Sequence, residues 1–146
     1  MAKYLLFALI PLLLSGLSAN VFACTCGETT LSESKSAATA VFLGRIKNKI
    51  KSDAVEESGV EVTFEVERVW KGQIQKKVRI YSGATADLYG FLDLCSPEFK
   101  VGDRYIVFAA GENLLANMMC SHTARIDTRN KNWASRALGR GKRPKT

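Results

Sequence analysis

Four cysteines and one histidine carry most of the chemistry open to this 146-residue chain. They are Cys24, Cys26, Cys95, Cys120 and His122. Thiolates and imidazole bind zinc, but Cys24-Thr25-Cys26 is a poor ligand spacing and no second histidine exists, so no metal site is expected within the free chain. His122 beside Cys120 would suit a Cys–His nucleophile only with Cys120 as a free thiol. An even count of cysteines in an exported chain points instead to two disulfides. Of the three pairings, a Cys24–Cys26 bridge would close a small strained ring, which favours bridges from Cys24 and Cys26 to Cys95 and Cys120. Glu61, Glu65 and Glu67 form the other concentration of titratable groups. Paired carboxylates can do acid–base work, but on one face of one strand they read as an ordinary wet surface. No nucleophile–base pair stands out, so the chain is not expected to be an enzyme, and no cofactor is expected.

The compartment follows from the N-terminus. Residues 5–14, Leu-Leu-Phe-Ala-Leu-Ile-Pro-Leu-Leu-Leu, follow Lys3 and lead through small residues to Val21-Phe22-Ala23. That is the layout of a secretory signal, so residues 1–23 read as a signal peptide and the mature protein as secreted or periplasmic. The apolar run is too short to span a bilayer. Val21-Phe22-Ala23-Cys24 also loosely resembles a lipobox, which keeps a lipid-anchored lipoprotein as the alternative location. Acylation of Cys24 would consume both its amine and its sulfur.

Charge is unevenly divided. Residues 24–128 hold 13 Lys/Arg and 14 Asp/Glu, whereas residues 129–146 hold seven basic residues and no acid. The high pI therefore belongs to a tail, and no nucleic-acid partner is expected for the body. The tail reads as a solvated, partly disordered extension, which polyanions or membrane headgroups could hold.

The elements that would position these groups are mostly strands. Thr30-x-x-Glu33 is a capping box opening a short helix through the Ser/Ala-rich run 34–40. Residues 40–46 are β-branched and aromatic enough for a strand, and residues 47–59 read as a loop or hairpin end. Val60, Val62, Phe64 and Val66 alternate with polar residues, which predicts a strand with one buried face. Trp70-Lys71-Gly72 supplies a turn, and residues 77–81 a strand with Val78 and Ile80 inward. Residues 82–95 read as a loop, Phe99–Asp103 as a turn and Tyr105–Ala109 as a strand. Gly111-Glu112-Asn113 turns the chain into residues 114–120, and residues 130–138 could form a short helix stopped by Gly139. Trp70, Phe64 and Phe108 suit core or barrel-end packing. Five or six short strands with a small helix suit a mainly β fold, the five-stranded Greek-key OB barrel, and a small β-sandwich would read almost the same.

Cleavage after Ala23 would open the mature chain on Cys24-Thr25-Cys26. Downstream stand Val41-Phe42-Leu43-Gly44, Trp70-Lys71-Gly72, the set Phe99, Gly102, Tyr105, Val107 and Phe108, and Cys120-Ser121-His122-Thr123. Together these resemble the N-terminal inhibitory domain of the tissue inhibitors of metalloproteinases, in the netrin-like group, and most of all its short bacterial single-domain forms. The likeness covers residues 24–124. It implies an OB-like domain over 24–128 with bridges Cys24–Cys95 and Cys26–Cys120, at separations of 71 and 94 residues. The third bridge and the cysteine-rich second domain of animal members have no counterpart, and Ser96 stands where glycine is usual.

The resemblance implies a mechanism too. The α-amine and carbonyl of Cys24 would chelate the catalytic zinc of a target metalloprotease, displacing its water, with Thr25 in the protease's specificity pocket. Cys26 and the segment Leu92, Asp93, Leu94 would supply flanking contacts. The alternative is a disulfide-stapled OB binding module without inhibitory activity.

Overall fold

The computed structural model describes residues 26–51, 59–82, 97–112, 115–118 and 120–146. Among the described residues, six strands run as β1 (Ala40–Lys51), β2 (Val60–Lys71), β3 (Lys77–Ser82), β4 (Arg104–Ala110), β5 (Ala116–Asn117) and β6 (Ala124–Ile126). Two short helices flank them, α1 (Leu31–Ala37) and α2 (Trp133–Leu138). β1 pairs antiparallel with β2 and with β4, β2 with β3, β3 parallel with β5, and β5 with β4. The circuit β1-β2-β3-β5-β4-β1 therefore closes a five-stranded OB-like barrel, which decides between barrel and sandwich.

Two cores sit on opposite sides of the barrel wall. The interior is filled from Phe42, Phe64, Ile80, Phe99, Tyr105 and their neighbours. Phe42, Phe64, Phe99 and Tyr105 form a chain of edge-to-face contacts with ring centroids 4.9 to 5.7 Å apart, the arrangement their ring quadrupoles favour. A second cluster, outside the wall, joins Val41, Leu43, Ile106 and Phe108 to Ile126 and Ala134, with Trp70 and Trp133 at its margin. β1 over residues 40–44 and β4 over 105–109 are thus covered on both faces, which is why these stretches carry no charged residue. Over Glu61–Glu65 β2 alternates in residue type, with Val62, Phe64 and Val66 in the interior, although Thr63 on the other face is buried too.

Small devices fix the joints. At α1 the Thr30 hydroxyl accepts from the Glu33 N–H and the Glu33 carboxylate accepts from the Thr30 N–H at 2.7 Å, a complete capping box. The helix starts at Leu31, three residues before the Ser/Ala-rich run, because the cap defines its first turn. At its other end Lys71 Nζ donates to the Lys35 and Ser36 carbonyls, each at 2.8 Å, placing a cation on the negative end of the helix. Gly72 follows at φ +83°, where an added Cβ would lie 2.8 Å from the Thr39 carbonyl oxygen. Trp70 Nε1 donates to the Gly139 carbonyl at 2.9 Å. Trp70 and Lys71, expected to turn the chain, are instead the last residues of β2 and tie it to both helices, leaving the turn to begin at Gly72.

The structure departs from the sequence expectations elsewhere too. β1 continues to Lys51, past the expected loop start at 47, because backbone pairing with β2 persists where no core remains to impose an apolar pattern. Of residues 114–120, into which the Gly111 turn leads, Ala116–Asn117 forms a strand among the described residues. β6 is an addition, paired to β4 beside β5. The tail, expected to be partly disordered, lies along the sheet. Lys142 exchanges both backbone hydrogen bonds with Val69, and Lys145 bonds Ile74 and Lys76, at 2.7 to 2.9 Å. β3 covers β2 only as far as Glu65, and the tail supplies partners for the backbone beyond it.

Candidate functional site

β5 and β6 lie on the same edge of β4, pairing Ala109–Ala110 and Arg104–Ile106 respectively. Between them the chain leaves the ladder, and Cys120 adopts φ +54°, a left-handed conformation that a side chain makes costly. The excursion exposes the backbone of the buried Phe108. Its carbonyl accepts from the Met118 N–H at 3.0 Å, and its N–H donates to Thr123 Oγ1 at 2.9 Å. A side-chain hydroxyl thus stands in for a missing ladder partner, and Ser121 Oγ donates to that hydroxyl at 2.9 Å.

The N-terminal segment is fastened onto this excursion at three points. Cys26 and Cys120 form a disulfide with Cα atoms 5.3 Å apart. Thr29 Oγ1 donates to the Cys120 carbonyl at 3.2 Å. Ser34 Oγ, buried at the inner face of α1, lies 2.8 Å from His122 Nδ1. Residues 26–30 are otherwise exposed, so the segment is a strap held at both ends over the barrel's outer surface.

Of the residues the sequence singled out, Cys26 and Cys120 come together here. Cys24, Thr25, Leu92, Asp93, Leu94 and Cys95, with the 1–23 leader, lie outside the described residues. The bridge removes Cys120 as a nucleophile, and Ser34 is too enclosed to meet a substrate, so Ser34–His122 is a latch. That pair, 88 residues apart, has no signature in the linear sequence. Glu61, Glu65 and Glu67 each face a cation: Arg79 at 3.4 Å, Lys47 at 3.2 Å and Arg104 through both carboxylate oxygens. The Lys47 hydrogen bond holds the Glu65 carboxyl below its ordinary range, and Tyr81, donating to Glu61 at 2.9 Å, is held above its own. Among the described residues no three metal-ligating side chains converge, and no helix is long and apolar enough to cross a membrane.

Neither a protein-family model nor a curated protein sequence matches this chain.

Proposed function

We propose that this chain is an exported inhibitor of zinc metalloproteases, of the kind represented by the tissue inhibitors of metalloproteinases, acting through a free N-terminal Cys24. The observation that carries the reading is the Cys26–Cys120 bridge, which roots the N-terminal segment on an OB-like barrel. Two residues extend at most about 7 Å, so an amine at Cys24 stays within that distance of a bridged, exposed Cys26. A chelator held that closely loses little conformational freedom on binding. The amine and carbonyl of one residue close a five-membered ring on a metal, and an α-amino pKa of about 7.7–8.0 keeps the deprotonation cheap near neutral pH. Thr25, next in the chain, enters the specificity pocket, and a second bridge from Cys24 to Cys95 holds the wedge from its other side.

The mass of the mature protein from an exporting host tests the chemistry this requires. A chain starting at Cys24 that gains two hydrogens for each of two bridges on reduction supports it. Acyl chains on Cys24, or a start at another residue, removes the chelating amine and leaves a stapled binding module.

A further inference from the structure

Two irregularities in β2 build a second feature, remote in chemistry from the N-terminus. In the β1–β2 ladder Gly44 pairs with Val66 but Leu43 with Arg68, so Glu67 is an extra residue; likewise Phe42 pairs with Val69 but Val41 with Lys71, which makes Trp70 extra. Each bulge shifts the inward–outward alternation by one. Val66 and Val69 both point to the interior, and Arg68, which strict alternation would bury, is exposed beside Leu43 on the outer face.

On that face α2 and the turn after it stand off from the wall and leave a groove of about 630 Å³. Its floor includes the buried Leu43 and Ala134, and the half-buried indole of Trp70 forms one side. Arg68, Lys131 and Arg140 reach it from three separate stretches of chain. Among the described residues none of these three cations is ion-paired. Arg104 and Glu67 also line it, but they neutralise each other through a two-pronged contact. Gly141 closes the turn at φ +65°, where a Cβ would sit 3.1 Å from the Trp70 ring. The basic tail therefore contributes to a walled site instead of trailing from the protein.

We propose that this groove binds a segment of an acidic glycan bearing sulfate or phosphate esters. Three unpaired cations supply the anion contacts, with the guanidinium forks of Arg68 and Arg140 matching the oxygens of an ester group. Glu67 and the Ser135 hydroxyl offer acceptors for sugar hydroxyls. The Trp70 indole presents an apolar surface for the C–H face of a sugar ring. The volume lies in the range of small-ligand sites, and its concavity admits a chain segment but not a planar bilayer. This inference is independent of the inhibitor reading and involves none of its residues.

The test is calorimetric titration of the mature protein with a heparin-derived hexasaccharide, alongside vesicles of phosphatidylglycerol and phosphatidylcholine. Hexasaccharide binding that weakens with salt and falls about tenfold with each of Arg68→Gln, Lys131→Gln and Arg140→Gln is expected. Lys76→Gln with Lys77→Gln, which removes charge at the start of β3 instead, should leave it nearly unchanged. Equal losses in the two sets would show a diffuse charge effect and overturn the proposal, as would binding to vesicles alone or to neither probe. Amide shift mapping on the unsubstituted protein guards against a variant that fails to fold. The hexasaccharide should perturb residues 67–70 and 131–140, and perturbation centred elsewhere would refute the groove.

Discussion

Ser34 Oγ and His122 Nδ1 lie 2.8 Å apart, so the first helix of the domain is latched to a chain excursion 88 residues downstream, two residues beyond the cysteine that bridges to Cys26. The disulfide and the latch bracket the strap 26–34 from both ends. Cys26 and the strap behind it thus rest on a platform set by the barrel strands β4 and β5 and the added strand β6.

The bridge closes a loop of 94 residues. Replacing Cys26 and Cys120 together by serine should lower unfolding stability by about 2–5 kcal/mol, the usual cost of releasing a long native loop. Denaturant unfolding of the variant against the oxidised protein measures it. Unchanged stability would mean that Thr29, Ser34 and His122 hold the strap unaided.

Thr123→Val keeps the side-chain shape but leaves the buried Phe108 N–H without its acceptor. The expected loss is about 1–3 kcal/mol, read by thermal unfolding. Thr123→Ser, which retains the hydroxyl, should recover most of it.

Acid should act in part at the α1 cap. The Thr30 backbone N–H, and secondarily its hydroxyl, hold the Glu33 carboxyl below its ordinary value of 4.5. A depressed carboxylate contributes stability that is present above its unfolded value and lost as pH falls through the folded one. Melting temperatures of the unsubstituted chain and Glu33→Gln should therefore differ at neutral pH and converge below pH 4.5. A gap constant with pH would mean that the charge of Glu33 plays no part.

Removing residues 139–146 strips Val69 and Lys76 of the backbone partners supplied by Lys142 and Lys145. Hydrogen exchange at those two amides should accelerate while the Phe108 amide stays protected. Unaltered protection at Val69 would show that the tail does not pair with β2.

Much of this arrangement is legible in the sequence, and the residues that are not share a cause. The alternation from Val60 to Val66, the apolar runs 40–44 and 105–109 and the Thr30–Glu33 box are local patterns, and each reads directly into an element. The β2 bulges are not local. Glu65-Val66-Glu67 continues a perfect alternation, and only the ladder with β1 shows that Glu67 is the extra residue that turns Arg68 outward. Ala124–Ile126 is too short to show a period, and it is a strand because β4 has free edge beside it. The tail has the composition of a solvated extension, yet the unpaired backbone of β2 beyond Glu65 gives it a place to lie. In the candidate site, Cys26 and Cys120 stand out by residue type, whereas Ser34, His122 and Thr123 acquire their roles only once the chain is folded.

The proposed inhibition works through the position of the Cys24 amine. Its most direct measurement compares inhibition of a panel of zinc metalloproteases by the mature chain and by the same chain with one alanine added before Cys24. The addition lies outside the barrel and the Cys26–Cys120 bridge, but the amine would no longer sit on the residue whose carbonyl is proposed to share the metal. The expected result is inhibition by the native N-terminus and its loss, by at least about a hundredfold, in the extended chain. Equal inhibition by both, or by neither, would contradict the account.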